Sequence, residues 1–176
     1  MGTQTLHRLV LTLDALCTLD EPALAELYAA GRVPSSLAVL NGSPRGRLVA
    51  LRGLQRTPLA PLVHALAGAR FFPWQGKDFS TRGRKSGKGA NRLSLPLLRP
   101  FTLFSFQSRI AASALDGADC IRLDYDHAGN PWPLRRIRDE LREVAPGLYL
   151  GPAFWRPRHG APVLLLWFAL DAREAR

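Results

Sequence analysis

Short alternating stretches of apolar and polar residues, punctuated by glycine and proline, run through most of this chain, and helical spacing is confined to a few places. Residues 6–17 are apolar at Leu6, Leu9, Val10, Leu13, Leu16 and Cys17, the spacing of one helix face. Asp20 then has the chemistry of an N-cap, Pro22 sits just inside a second helix that runs to Ala30, and Gly31 suits its end. Residues 45–52 predict a strand, with Leu48 and Ala50 on one face and Val49 and Leu51 on the other. Thr57 and Pro58 open another short helix, whose face is Leu59, Leu62, Val63 and Leu66 and whose end lies near Gly68.

Downstream, strands prevail. Residues 72–79 are aromatic and extended, and residues 80–89 read as a polar, cationic loop rich in glycine. Residues 93–98 and 101–110 predict paired strands joined near Arg99 and Pro100. Asp116-Gly117 is a hairpin signal, and residues 120–126 alternate, with Ile121, Leu123 and Tyr125 against Arg122, Asp124 and Asp126. After the break at residues 130–133, Leu134, Ile137, Leu141 and Val144 make an apolar helical stripe. On that reading Asp139, Glu140 and Glu143 share a solvated face with Arg135, Arg136, Arg138 and Arg142. Residues 149–155 and 163–170 are the last strands, and residues 173–176 a frayed tail. Many strands with no βαβ alternation predict a mainly β protein, an antiparallel sheet that closes or nearly closes, with peripheral helices. The expectation is one domain over residues 1–176, with a helical segment at 1–31, a barrel over 45–170 and one helix inserted before the last two strands.

Charge changes this picture. Residues 32–110 hold fourteen bases and one acid, 14 − 1 = +13, against 24 − 14 = +10 for the whole chain. A field of one sign attracts an anion, whether carboxylate, phosphate, lipid head group or nucleic acid. Cys17 and Cys120 lie in apolar stretches without CxxC spacing, so a metal site and a disulfide framework are not expected. Two buried thiols in a reducing cytoplasm are expected instead. Asp14 interrupts the early apolar run, which argues against a secretory signal, and no apolar run has membrane-spanning length.

The segment Trp74-Gln75-Gly76-Lys77-Asp78-Phe79 has the form W-x-G-K-x-F. It follows a glycine- and proline-spaced stretch through residues 40–51 and precedes Arg109, Leu123-Asp124-Tyr125-Asp126, Pro133-Leu134, Ile137, Asp139, Val144 and Leu150-Gly151. In this order the chain resembles the GXWXG-type and nitrobindin-like domains, small lipocalin-like (calycin) barrels. Val33 and Ser35 stand where that family's signature has Trp and its second Gly. The resemblance implies a barrel with an internal pocket for a small apolar or amphipathic ligand. Haem binding of the nitrobindin kind needs a late pocket histidine. The late histidine here, His159, lies in a Pro-Arg-His-Gly turn of the sort normally exposed, so no haem or other cofactor is expected.

Candidate ligand-binding residues follow. Trp74 and Lys77 combine an aromatic wall with a cation that would seat a polar head; the alternative is a core Trp74 and a Lys77 paired with an acid such as Asp124. Gly76 between them allows close backbone approach or a bulge. Phe104 and Phe106 lie on the strand that ends at Arg109, whose guanidinium could grip an anion at the barrel mouth or simply be an exposed strand end; Arg47 is a further candidate. Trp155 is a candidate wall, although Trp132, Trp155 and Trp167 also read as core. Tyr125, with Asp126 and His127 beside it, is the weak catalytic candidate together with Lys77, but adjacent strand residues face opposite ways. Residues 83–89 do not satisfy the phosphate-loop pattern, which excludes P-loop chemistry. The leading expectation is a cytoplasmic barrel binding a small hydrophobic, anionic ligand whose polar end is fixed by Lys77, Arg109 or Arg47. Two alternatives stay open: an enzyme on the same barrel (cyclase, isomerase or hydrolase type) with Tyr125 or Lys77 as acid, and a basic module for RNA or an anionic surface.

Overall fold

The computed structural model describes residues 11–52, 73–81 and 83–173. Two short helices come first, α1 (Leu13–Leu16) and α2 (Glu21–Ala30), capped by Thr12 and by Asp20, whose carboxylate accepts from the Ala23 amide. A 3-10 turn (Leu37–Leu40) leads into eight strands: β1 (Arg45–Leu51), β2 (Trp74–Ser80), β3 (Ser86–Leu93), β4 (Phe101–Ala112), β5 (Asp119–Asp124), β6 (Ile137–Ala145), β7 (Leu148–Trp155) and β8 (Val163–Asp171). Each strand pairs antiparallel with the next, and β8 closes on β1. The expected antiparallel barrel is therefore closed, with β1 and β2 joined at the single pair Arg45–Gly76.

The two ends of the barrel differ. At the end where β1 begins, the 3-10 turn acts as a plug. Leu37 and Leu40 are fully buried in one cluster with Phe79, Phe106, Ile121, Leu123, Leu141, Tyr149, Phe168 and Leu170. Backbone bonds from Leu37 N to Arg84 O and a bridge between Gly42 and Phe79 fasten the plug to β2 and the β2–β3 turn. At the other end, here called the mouth, lie the β3–β4, β5–β6 and β7–β8 connections. The helices pack outside. Leu16, Leu24 and Tyr28 meet Cys120, Leu148, Leu150, Trp167 and Ala169 on the outer face of the strands. Both cysteines are free, Cys120 buried and Cys17 half-buried.

Three expectations need correction. Residues 134–144 are not a helix: a 3-10 turn (Leu134–Arg136) runs into β6. The spacing of four between Ile137 and Leu141 satisfies a period of two as well as one of 3.6, and both residues do enter the interior cluster. The charges on the other face misled because they are covered, not solvated. Glu140 Oε2 accepts from Ser113 at 2.6 Å and from Tyr28 at 3.1 Å, while Arg142 forks onto Asp116 with two 2.7 Å bonds and stacks 4.4 Å from the Tyr28 ring. Second, residues 86–89 are not loop but the start of β3, paired with β4 throughout and with β2 from Lys88 on. Their glycines and charges carry no alternating apolar signal. Third, residues 94–98 are not strand; they belong to the β3–β4 connection, and β4 instead pairs with residues 86–93. Of the tail expected at residues 173–176, Arg173 is described and is engaged with Asp171 and the Leu11 carbonyl, and residues 174–176 lie outside the described residues. The helix expected over residues 57–68 and the first turns of the one at 6–17 lie outside the described residues.

A bulge in β2 sets the interior. The register slips between Trp74 and Gly76, and Gly76 has φ +133°. Residues three apart would otherwise face opposite ways, but the bulge turns both Trp74 and Lys77 inward. A Cβ on Gly76 would lie 2.2 Å from Pro44 O, and one on Gly46 would lie 2.5 Å from the Trp74 ring. Gly76→Ala therefore combines left-handed strain with backbone overlap and is expected to cost on the order of 3 kcal/mol. Urea denaturation checks this, with Gly83→Ala, where a Cβ meets nothing within 4 Å, as the neutral control.

Candidate functional site

Four strands deliver polar side chains to one point inside the barrel. Lys77 comes from β2, Asn91 from the facing position of β3, Tyr125 from just beyond β5 and Asp139 from β6. Lys77 Nζ donates to Asn91 Oδ1 at 2.8 Å, to the Tyr125 hydroxyl at 2.6 Å and to Asp139 Oδ2 at 2.8 Å. The Tyr125 hydroxyl donates to Asp139 Oδ2 at 2.9 Å, and Trp74 Nε1 donates to Asn91 Oδ1 at 3.0 Å. A bulge at Phe104, with φ +57°, presents that residue's carbonyl to the Asn91 amide at 3.2 Å. Lys77, Tyr125 and Asp139 are buried and Asn91 only partly so, which places Asn91 on the accessible side of the cluster.

An aromatic shell surrounds the ammonium. The ring centroids of Phe168, Tyr125, Phe106 and Trp74 lie 5.0, 5.3, 5.4 and 5.5 Å from Lys77 Nζ. Such faces stabilise a desolvated cation. Burial still lowers the Lys77 pKa, with Asp139 opposing the shift, and burial followed by the Asp139 charge raises that of Tyr125. Lys77 and Asp139 cancel, so the cluster has no net charge. Within this cluster one polar atom is left over, Asp139 Oδ1, which is buried without a hydrogen-bond partner among the described residues, as are Ser108 Oγ, Trp167 Nε1 and the Nε atoms of Arg122, Arg138 and Arg156 elsewhere. What this arrangement offers chemically is an acceptor in an apolar, aromatic interior, held by donors that are already engaged.

The expected site residues divide. Trp74, Lys77, Phe106 and Tyr125 come together, and Phe104 joins them from the mouth side of β4. Of the two readings of Lys77, the alternative of a pairing with an acid is the one observed, but the acid is Asp139 and not Asp124, which instead faces Arg109 at 3.7 Å and Arg156 at 3.5 Å. Arg109 and Arg47 are more than 45 % exposed and do not reach the cluster; Arg47 pairs with Asp14 at 3.1 Å. With Lys88, Arg109 borders an open hollow of about 670 Å³ over β3 and β4. Trp155 lies at the rim, edge-on to Trp132 with centroids 6.3 Å apart. His159 is exposed in the β7–β8 connection. Asp126 is bound by Arg135 at 2.9 Å, away from His127. His127 Nε2 does lie 2.8 Å from Ser105 Oγ. Its Nδ1, however, accepts from the Gly129 amide at 3.1 Å, so in the neutral ring Nε2 carries the proton and cannot take one from Ser105.

Asn91 and Asp139 were not found from the sequence. Asp139 could have been: Ile137, Asp139 and Leu141 share one face as soon as the segment is read with period two. Asn91, among glycines and charges, carried no such signal. Among the described residues no group of three or more His, Cys, Asp or Glu side chains is placed to hold a metal ion, and no helix is long and apolar enough to cross a membrane.

No protein-family model matches this chain, and no curated protein does. A solved structure, that of a protein from Thermomonospora curvata, superposes with a TM-score of 0.52 at 19% identity, covering 87% of each chain. That likeness is one of fold. The shared architecture is the closed eight-strand antiparallel barrel.

Two outcomes follow. Asp139→Leu leaves a buried ammonium without its counter-charge and is expected to cost about 3–5 kcal/mol, as is Lys77→Met for the converse reason. The double variant should lose much less than the sum, a coupling measurable by urea denaturation. Burial also raises the pKa values of all three tyrosines, Tyr28, Tyr125 and Tyr149, above the ordinary value. The folded chain then keeps protons that the unfolded chain releases, so their contribution is whole below about pH 10 and falls above it, by up to ~1.4 kcal/mol per pH unit for each. The lowered Lys77 pKa acts in the opposite sense below about pH 10.5. The denaturation midpoint should decline in alkali with no tyrosinate absorbance before unfolding, and Tyr125→Phe should flatten that decline.

Proposed function

We propose that the barrel binds a small, largely apolar molecule that approaches through the mouth and places one hydrogen-bonding group against the Asn91–Lys77–Tyr125–Asp139 cluster. The observation that carries this reading is the unpartnered, buried Asp139 Oδ1 inside an aromatic interior, which calls for a donor. Trp74, Phe104, Ile137 and Leu166 are only partly buried and pack against the interior cluster, as pocket walls on the accessible side would be. Leu37 and Leu40 close the opposite end. Because Asp139 already neutralises Lys77, the polar end of the ligand need not be anionic; an N–H or O–H group suits the free acceptor better than a second carboxylate.

Two fluorescent probes test this: anilinonaphthalene sulfonate and its uncharged parent, phenylnaphthylamine, both of which carry an N–H. Each is expected to bind at one site per chain with little dependence on salt. Leu166→Trp, which narrows the mouth side of the interior, should weaken both by at least about tenfold. Arg47→Ala and Arg109→Ala, on the outside, should leave both unchanged. If only the sulfonate binds, and salt abolishes that binding, the occupied site is the basic exterior and the interior reading fails.

A further inference from the structure

The mouth of the barrel is greasy where most solvent-facing loops are polar. In the β3–β4 connection Leu97 is fully exposed, at 105 %, and Leu98 is 59 % exposed, with Leu95 beside them. Leu97 is held in the left-handed region, φ 68°, a conformation unfavourable for leucine, and the 94–98 turn is closed by a bond from Leu98 N to Leu95 O at 3.1 Å. A strained turn that pushes its leucines into water is not explained by packing within the barrel. Across the same end, Trp132 in the β5–β6 connection is 54 % exposed and Val163 at the start of β8 is also exposed. A half-exposed indole is a side chain suited to an interface between water and lipid.

The charges around these residues are mostly of one sign. The three described mouth connections, residues 94–100, 125–136 and 156–162, carry Arg99, Arg135, Arg136, Arg156 and Arg158 against the single acid Asp126, 5 − 1 = +4. Between Asp78 and Asp116 the chain has no acidic residue at all. Protruding leucines, an interfacial tryptophan and a surplus of arginines on one end of a molecule with net charge +10 together match one kind of surface. We propose that the mouth docks on an anionic lipid bilayer, with Leu97 and Leu98 inserted at the level of the head groups and Arg99 and Arg158 against lipid phosphates or carboxylates. The purpose assigned to this docking rests on the ligand reading above: an apolar ligand would pass between bilayer and barrel without crossing water.

Flotation with vesicles of phosphatidylcholine, with and without phosphatidylserine, tests the docking on the full chain. The protein should float with the phosphatidylserine vesicles, less with the neutral ones, and less again in high salt. Leu97→Glu with Leu98→Glu should cut binding at least about tenfold, and Arg99→Glu should cut it chiefly on anionic vesicles. Tryptophan emission should shift to the blue on binding, and Trp132→Phe should remove most of that shift. Equal flotation of wild type and the Leu97→Glu, Leu98→Glu variant would overturn the proposal. So would self-association abolished by that variant with no vesicle binding, which would make the patch an interface between two copies of the chain. Preferential binding of RNA with no flotation would likewise refute it. Titrating phenylnaphthylamine into the same variants separates the two readings. Loss of flotation with intact probe binding in the double variant supports docking, whereas flotation of a wild type that binds no probe leaves the docking standing and removes only the interior site.

Discussion

The ion pair between Lys77 and Asp139 inside the barrel is the constraint on which the rest of the structure depends. Either charge alone in that interior would carry a desolvation cost comparable with the whole stability of a domain. Together they are held at 2.8 Å, tied to Tyr125 and Asn91 and enclosed by four aromatic rings. That geometry requires β2, β3, β5 and β6 to be in one particular register, since a slip by a single residue would turn the polar group on any of them to the outside. The cluster thus specifies the barrel as much as the barrel creates the cluster.

Backbone irregularities serve this arrangement. The bulge at Gly76 brings Trp74 and Lys77 to the same side, and the bulge at Phe104 offers a carbonyl to the Asn91 amide. Each departs from a regular ladder at the place where the interior becomes polar, as expected where local geometry is given over to a site. The plug of Leu37 and Leu40 and the exposed leucines of the β3–β4 turn make the barrel polar in direction: one end is sealed with buried side chains and the other presents apolar groups outward.

β6 shows how strongly covering can change the meaning of a charge. Its inner face gives Asp139 to the interior, and its outer face gives Glu140 and Arg142 to Tyr28, Ser113 and Asp116 beneath α2. All three are buried, on both sides of one strand. A strand that is charged on both faces and buried on both faces has no amphipathic pattern, which is why it reads as a helix with a solvated flank.

Much of the architecture was legible along the chain. Residues 121–125 alternate as a half-buried strand must, the Asp116-Gly117 turn is where the hairpin needs it, and the last two strands are apolar runs of strand length. Those signals are local, so the sequence by itself determined a mainly β, antiparallel protein and singled out Trp74, Lys77 and Tyr125. Only the tertiary structure decided that β3 is a strand, that Arg47 and Arg109 stay outside, and that Lys77 meets Asp139 rather than Asp124. The reason is distance along the chain: the decisive contacts join residues 48 and 62 positions apart, and closure of the barrel, which no local pattern encodes, is what brings them within reach of one hydrogen bond.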